Sequence, residues 1–510
     1  MPKPTPDAQP NSGHTDQAAQ VAAGSSVVLA GNLINRALRF ATSWTLANVL
    51  GQHAFGVYEL ARTWVTVLAS FAPLGTDKGV VFFGAKQRQQ DKPEQVLGTV
   101  ISTFGVSIFG GLGLTAACAS WLLMGPQTEE RQALLWMLPA VFIWSILLAA
   151  IGTLRAFKDM KGQSLAYLVV LPMGMFAAAL VPALSPWGLK GALIGFSLAN
   201  LASLGVAIPL VWRRLRKVRA AADTPEFDLV SLLKYSLPES FSAVLFRINQ
   251  WADTLMVGAL AGTADVGLYR TAVTLAMIGE VPAVAVNTMF QPVIAELADP
   301  DRPGTEQPPQ LEAVVRIVTR WMVIMAAPVY LGIYVGMEAV LSLWKPEYAS
   351  SADALSILLW GQAVYVLAVP ATALIPMTGR ANLNLANAGS AALLNIGLNA
   401  WLIPEYGIAG AASATGISLA AWSIWRLVQV WFIFKIQAFT GRSLALIAVF
   451  VILTLVGRLG TQDLSLSWQI LATACAVGLF LACAAAFGRT PDDAVVLDKV
   501  TAKIKAKLGR

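Results

Sequence analysis

Histidine is nearly missing from this 510-residue chain: His14 and His53 are the only two, so no metal centre can be assembled from a histidine cluster. Cysteine is almost as scarce. Cys118, Cys475 and Cys483 all fall inside apolar stretches, where a thiol acts as a small hydrophobe and a disulfide framework is excluded. No glycine-rich loop with its lysine is present to cradle phosphates, which removes a nucleotide-driven motor from the chain. Charge is also in short supply, at 13% of residues against 56% hydrophobic. That balance is too apolar for an ordinary soluble protein and places the chain in lipid.

What the sequence does contain is long apolar runs. A bilayer span needs roughly 20 mostly apolar residues, and backbone facing hydrocarbon must satisfy its own hydrogen bonds, so the runs predict an all-α polytopic membrane protein. Fourteen spans are expected: 24–50, 56–76, 96–123, 133–153, 162–184, 189–212, 231–259, 265–295, 313–342, 354–377, 382–403, 407–434, 442–459 and 467–487. The ten-residue alternation of an outer-membrane barrel is missing, which points to an inner or plasma membrane. Lys and Arg number roughly two dozen on the side that holds both termini and about four on the other, the bias expected of cytoplasmic loops. Both termini are therefore expected in the cytoplasm. The same bias accounts for the net charge of +7 without a nucleic-acid partner.

The chain divides by composition. Residues 1–23 are rich in Pro, Gln, Asp and Ser, lack the pattern of a cleavable signal and are expected to form a disordered cytoplasmic head. Residues 24–212 form an N-lobe of six spans and residues 231–434 a C-lobe of six more. Between them lies a basic linker, 213–230, opening with Arg213, Arg214, Arg216, Lys217 and Arg219. Two further spans occupy 442–487. In the tail, 488–510, Leu497, Val500, Ile504 and Leu508 recur at helical spacing among Lys499, Lys503, Lys507 and Arg510. That pattern suits either an amphipathic helix on an anionic leaflet or a solvated basic segment.

The lobes follow from an internal repeat. Ala47 to Tyr58 aligns with Gly258 to Tyr269, placing Gly51 over Gly262, Gly56 over Gly267 and Tyr58 over Tyr269. Further on, Gly188-Leu189-Lys190-Gly191-Ala192 aligns with Gly407-Ile408-Ala409-Gly410-Ala411. Small-residue patterns are common on helix-packing surfaces, but two matches in the same order indicate a six-span unit duplicated in one orientation, the plan of a rocking transporter.

Charged side chains in a span are costly and usually face a wet cavity or a partner. They cluster here. Asn32, Asn35, Arg36, Arg39 and Ser43 share a face of the first span, and Glu59, Arg62, Thr66 and Ser70 a face of the second. The seventh carries Glu239, Arg247, Gln250 and Asp253; the eighth carries Arg270 and Thr274, with Glu280 on a neighbouring face. Spans one, two, seven and eight are repeat equivalents and are expected to line a central cleft. Arg36, Arg39, Arg62, Arg247 and Arg270 are the candidate anion ligands, since guanidinium binds phosphate oxygens bidentately. Glu59, Glu239, Asp253 and Glu280 are candidate charge partners or sites of H⁺ or Na⁺ coupling, and no cofactor is expected. The bland alternative is an internal ion pair, such as Glu59 with Arg62 at three-residue spacing.

Leu394-Asn395-Ile396-Gly397-Leu398-Asn399, followed by Ile403-Pro404-Glu405-Tyr406-Gly407-Ile408-Ala409-Gly410, resembles the eleventh-to-twelfth-helix signature of the Wzx-like polysaccharide-biosynthesis flippases. That family shares a superfamily with MATE exporters and lipid II flippases. Phe55-Gly56-Val57-Tyr58, then Leu74-Gly75 and a basic loop, resembles its first-to-second-helix segment, and Asp253 with Val266-Gly267-Leu268-Tyr269 its mid-chain counterpart. The resemblance implies a flippase, not an enzyme, for a polyprenyl-diphosphate-linked oligosaccharide such as an O-antigen or exopolysaccharide unit. It implies a bacterial inner membrane, with membrane lipids and polysaccharide polymerases or glycosyltransferases as partners. In the related lipid II flippases, basic residues on helices one, two and eight contact the substrate; Arg39, Arg62 and Arg270 lie on similar helices here. The alternatives are a MATE-like exporter of organic cations, which would favour acidic and aromatic cleft residues, and a membrane glycan ligase or polymerase, which would carry long external loops. A non-transporting scaffold would need no clustered intramembrane charge.

Overall fold

An apolar run that cannot hydrogen-bond to water closes its peptide groups on themselves, and the chain does so as helix almost throughout. A computed structural model describes residues 12–282, 297, 309–372, 374–377, 380–461 and 464–488; side chains are described from residue 30 onward, except 242–249, 309, 376–377 and 381–382. No strand occurs among the described residues. The helix Ser12–Phe71 is broken at Gly51 into α1 (12–50) and α2 (52–71). Then follow α3 (Thr76–Gln89), α4 (Pro93–Met124), α5 (Glu129–Ala156), α6 (Met160–Leu184), α7 (Gly188–Arg219), α8 (Leu229–Leu260) and α9 (Thr263–Ala276). After them come α10 (Pro309–Val335), α11 (Ala352–Thr372), α12 (381–406), α13 (408–434), α14 (Gly441–Thr461) and α15 (Leu466–Phe487).

Nine helices among the described residues are long and apolar enough to cross a membrane, or up to ten if the bent pair α2 and α3 is one span. One of the nine is the 52-residue run Leu383–Phe434, which at about 1.5 Å per residue is far longer than a bilayer core of about 30 Å. Gly407 interrupts it, with φ 54° and ψ −130°, at the boundary expected between the eleventh and twelfth spans. The nine do not include α1, α8 or α9. Charged and polar residues interrupt α1 and α8, and α9 has only 14 residues. The fourteen expected stretches fall on α1, α2 and α4 to α15, with residues 283–295 of the eighth lying outside the described residues.

Several expectations are corrected. The basic stretch after Gly75 is not a loop but the helix α3, bent 41° from α2 after a left-handed Leu74-Gly75 corner. Residues 12–23 of the head are helical. The basic run near mid-chain belongs to the last two turns of α7, and only 220–228 depart from helix. The basic tail lies outside the described residues.

The chain packs as two compact units. The first comprises residues up to Thr42 and Val65–Val244; the second comprises Ser43–Trp64 and Leu245–Arg510. In the first, α4 and α7 pack on α5, α6 packs on α7, and α3 lies on α4 and α5. Arg214 anchors one corner, donating Nε to Asp159 at 2.8 Å. In the second, α11 packs on the pair α12 and α13 and on α10, which also carries α14 and α15. Gly361 of α11 meets Gly416 of α13 so closely that an added Cβ would lie 2.4 Å from a backbone atom.

The repeat is written into the backbone. Gly51 has φ 80° and ψ 170°, and its equivalent Gly262 has φ 117° and ψ 171°. Only glycine enters that region without strain, so each repeat breaks its helix at the same place for the same reason. Gly188 and Gly407 likewise both have positive φ. Within the second unit the two copies meet reciprocally. A Cβ on Gly56 would lie 1.7 Å from the Thr263 carbonyl oxygen, and one on Gly267 would lie 2.1 Å from that of Gln52. Gln52 and Thr263 are themselves equivalent, each following the helix-breaking glycine, so the crossing of α2 and α9 has a local two-fold character.

Candidate functional site

That close crossing positions the charged group of the second unit. Three residues beyond Gly56, α2 presents Glu59; three residues beyond Gly267, α9 presents Arg270. Arg270 Nε donates to Glu59 Oε2 at 3.2 Å, and Arg62, one turn further along α2, donates to the same oxygen at 2.5 Å. Glu59 is 4% exposed and Arg270 8%. Both guanidiniums lie over the ring of Trp251 on α8, at 5.1 Å for Arg62 and 4.7 Å for Arg270. Two cations thus share one carboxylate and one indole ring in a buried setting, where paired geometry and the ring quadrupole offset part of their desolvation.

A second polar group lies on the same helices. Asp253, 7% exposed, sits two residues after Trp251. The Tyr269 hydroxyl donates to Asp253 Oδ2 at 2.6 Å and lies 3.1 Å from the Thr415 hydroxyl of α13. The Thr254 amide donates to Asp253 Oδ1 at 2.7 Å. Asn395 of α12 donates to Thr415 at 3.5 Å, and Asn399 donates to Asn395 at 3.1 Å. The line ends at the buried Asn399 Oδ1, which has no hydrogen-bond partner. Among the described residues no group of three or more His, Cys, Asp and Glu is poised to hold a metal.

The structure therefore brings together Glu59, Arg62 and Arg270, and joins Asp253 to Tyr269 beside them in sequence. Glu280 follows the 3₁₀ turn Met277–Gly279 and is half-buried. Arg36, half-buried, and Arg39, exposed, lie on α1 in the first unit. Glu239 also belongs to the first unit, where it is exposed and 3.8 Å from Lys78. The side chain of Arg247 lies outside the described residues. Sequence reasoning passed over Trp251, Tyr269 and Thr415 as site residues. Trp251 could have been found, since an aromatic between Arg247 and Asp253 on a charged helix is a natural cation partner.

Nine or more apolar helices and no strand among the described residues, with an internal duplication and buried charge on the repeat crossing, define a polytopic membrane protein of the transporter type. The chain belongs to the polysaccharide biosynthesis protein family, which it matches over residues 21–298, and it also matches the MatE family over residues 238–401. Two relatives come from Haloferax volcanii. The chain is 25% identical over 391 residues to "Probable flippase AglR", covering 67% of this chain and 80% of that protein. It is 26% identical over 228 residues to "Probable low-salt glycan biosynthesis flippase Agl15", covering 42% of this chain and 45% of that one. Its fold is that of the lipid II flippase MurJ in an inward closed conformation, with a TM-score of 0.71 at 15% identity over 89% of this chain and 97% of that one. A multidrug resistance MATE transporter of the MOP superfamily, inward-facing, gives 0.62 at 15% identity over 81% and 99%.

Proposed function

We propose that the chain is a flippase that carries a polyprenyl-diphosphate-linked oligosaccharide, such as an O-antigen or exopolysaccharide repeat unit, from the inner to the outer leaflet of the cytoplasmic membrane. No covalent bond changes. Both termini lie in the cytoplasm in this reading, as the Lys and Arg distribution requires, and the bodies that rock are the lobes 24–212 and 231–434. The family match supports it, as do the two relatives named as flippases.

The observation that carries the proposal is the pair Arg62 and Arg270 held to one carboxylate, Glu59, over Trp251. Guanidinium stays ionised in a poor dielectric and engages phosphate in bidentate fashion. Glu59 then keeps the two cations in place when no substrate is bound. A pyrophosphate takes over those donors during transport, so the buried cations are never left without an anion. Arg36, Arg39 and Arg247 are further anion ligands in this reading, and Glu239 and Glu280 charge partners. Asp253, with Tyr269, Thr415 and Asn395 around it, is the coupling carboxylate for H⁺ or Na⁺. Polymerases and glycosyltransferases of the same route are its partners.

The test is a strain lacking the chain, complemented with wild type or with Arg270→Ala. Loss of surface polymer with build-up of the finished lipid-linked glycan on the inner face, in both the deletion and the variant, is expected. Loss of polymer with no finished precursor would place the chain in glycan assembly instead. Normal delivery by membrane-inserted Arg270→Ala would remove the arginine pair from substrate binding.

A further inference from the structure

The second unit has a basic cavity that shares no residue with the Glu59–Arg62–Arg270 group. It opens between the first turns of α10 and α14, has a volume of about 540 Å³, and is lined by Arg316, Arg320, Arg442, Thr440 and Gly441 with two aliphatic side chains. We propose that this cavity binds the phosphate headgroup of an anionic membrane phospholipid, whose acyl chains run along the outer face of α14.

Three guanidiniums on two helices converge there. Arg316 and Arg320 are four residues apart and so lie on one face of α10. Arg316 bonds to Glu312 at 2.6 Å and donates Nε to the Gln437 carbonyl at 3.0 Å; the Gln437 amide in turn donates to Glu312 at 3.3 Å. These contacts fasten the connection from α13 to α14 against α10. Thr440 and Ser443 fix the next turn reciprocally: the Thr440 amide donates to Ser443 Oγ at 2.7 Å and the Ser443 amide to Thr440 Oγ1 at 3.2 Å. Gly441 and Arg442 are thereby held at the start of α14, where the amide ends of the helix favour an anion. Arg320 is only 4% exposed, although it lines the cavity. A cavity of that volume is in the range of small-ligand sites, and its charge suits a phosphate ester.

The lipid source follows from what adjoins the cavity. Two residues past Arg442, Leu444 is 52% exposed, and Ile452, Leu455, Val456 and Leu459 continue an exposed apolar surface along α14. In a membrane span that surface lies against acyl chains, while the arginines at the helix end lie at headgroup depth. A headgroup and its own tails can occupy both together.

The full chain, purified and exchanged into lipid, tests this by native mass spectrometry with phosphatidylglycerol against phosphatidylcholine of identical acyl composition. Wild type should retain phosphatidylglycerol about tenfold more tightly. Arg442→Ala, at an exposed position, should lose most of that preference, and Arg442→Lys should keep part of it. Soluble glycerol phosphate at matched concentration should displace little. Equal retention of the two lipids would overturn the proposal, as would an unchanged preference in Arg442→Ala or full displacement by glycerol phosphate. Glycan delivery is scored separately, so failure here leaves the flippase reading untouched.

Discussion

Glu59 and Arg270 occupy the same position in the two copies of the repeat, 211 residues apart, and form a buried ion pair with each other at 3.2 Å. Duplication brings equivalent residues close to a shared axis, where like charges would repel. Here one copy carries a carboxylate and the other a guanidinium, so the local symmetry is broken in charge and the contact becomes attractive. The neighbouring Arg62 adds a second cation that has no charged equivalent, since the matching position is Val273. The asymmetry leaves this three-residue group with a surplus positive charge, which suits it to an anion.

Glu59→Gln should therefore destabilise the protein more than removing the ion pair altogether. It leaves two guanidiniums buried without their carboxylate, a change expected to cost about 3 to 5 kcal/mol. The double variant Glu59→Leu with Arg270→Met should recover part of that loss. Thermal unfolding in one detergent, arranged as a double-mutant cycle, checks the sign; additive losses would show that the pair is not coupled.

Gly56→Leu and Gly267→Leu should prevent stable folding, because each side chain would begin within about 2 Å of a carbonyl oxygen across the crossing of α2 and α9. Gly105→Ala in α4 is the control. Nothing lies within 4 Å of a Cβ there, and removing backbone freedom from a helix should leave stability equal or raise it by about 0.5 to 1 kcal/mol. Monodisperse yield from membranes separates the two outcomes.

Gly51→Ala and Gly262→Ala should each cost about 1 to 3 kcal/mol, since alanine enters neither backbone conformation without strain. Space is not the reason at Gly262, where no atom lies within 4 Å of the added Cβ. Equal destabilisation at the two sites, measured by melting temperature, would show that backbone angle and not crowding sets the requirement.

Tyr269→Phe should slow transport with little loss of fold. It deletes the 2.6 Å hydrogen bond to Asp253 and breaks the line through Thr415 to Asn395 and Asn399, at a cost of about 1 to 3 kcal/mol for the buried acceptor left behind. If Asp253 couples to an ion, the variant's glycan delivery should change its dependence on external Na⁺ or pH, and Asp253→Asn should abolish that dependence. Identical ion dependence in wild type and both variants would remove the coupling role.

Much of this was legible in the chain. The apolar runs predicted helices, with span ends beside Gly51, Gly262 and Gly407, where positive φ breaks them. Glu59 and Arg62 could be paired by spacing, since a three-residue step on one helix fixes their separation. The helical character of α3 was not legible: its basic, weakly apolar sequence reads as a loop until α4 and α5 are there to pack against it.

The sequence by itself determined the lipid environment, the helical class, the duplication and the list of charged residues, because each depends on composition or on order along the chain. Only the tertiary structure decided which charges meet. Arg270 joins Glu59 because Gly56 and Gly267 allow α2 and α9 to cross at backbone contact, while Asp253 takes the hydroxyl of Tyr269 from the next helix. Pairings between residues some 200 positions apart depend on that distance of approach, and no spacing within a single helix encodes it.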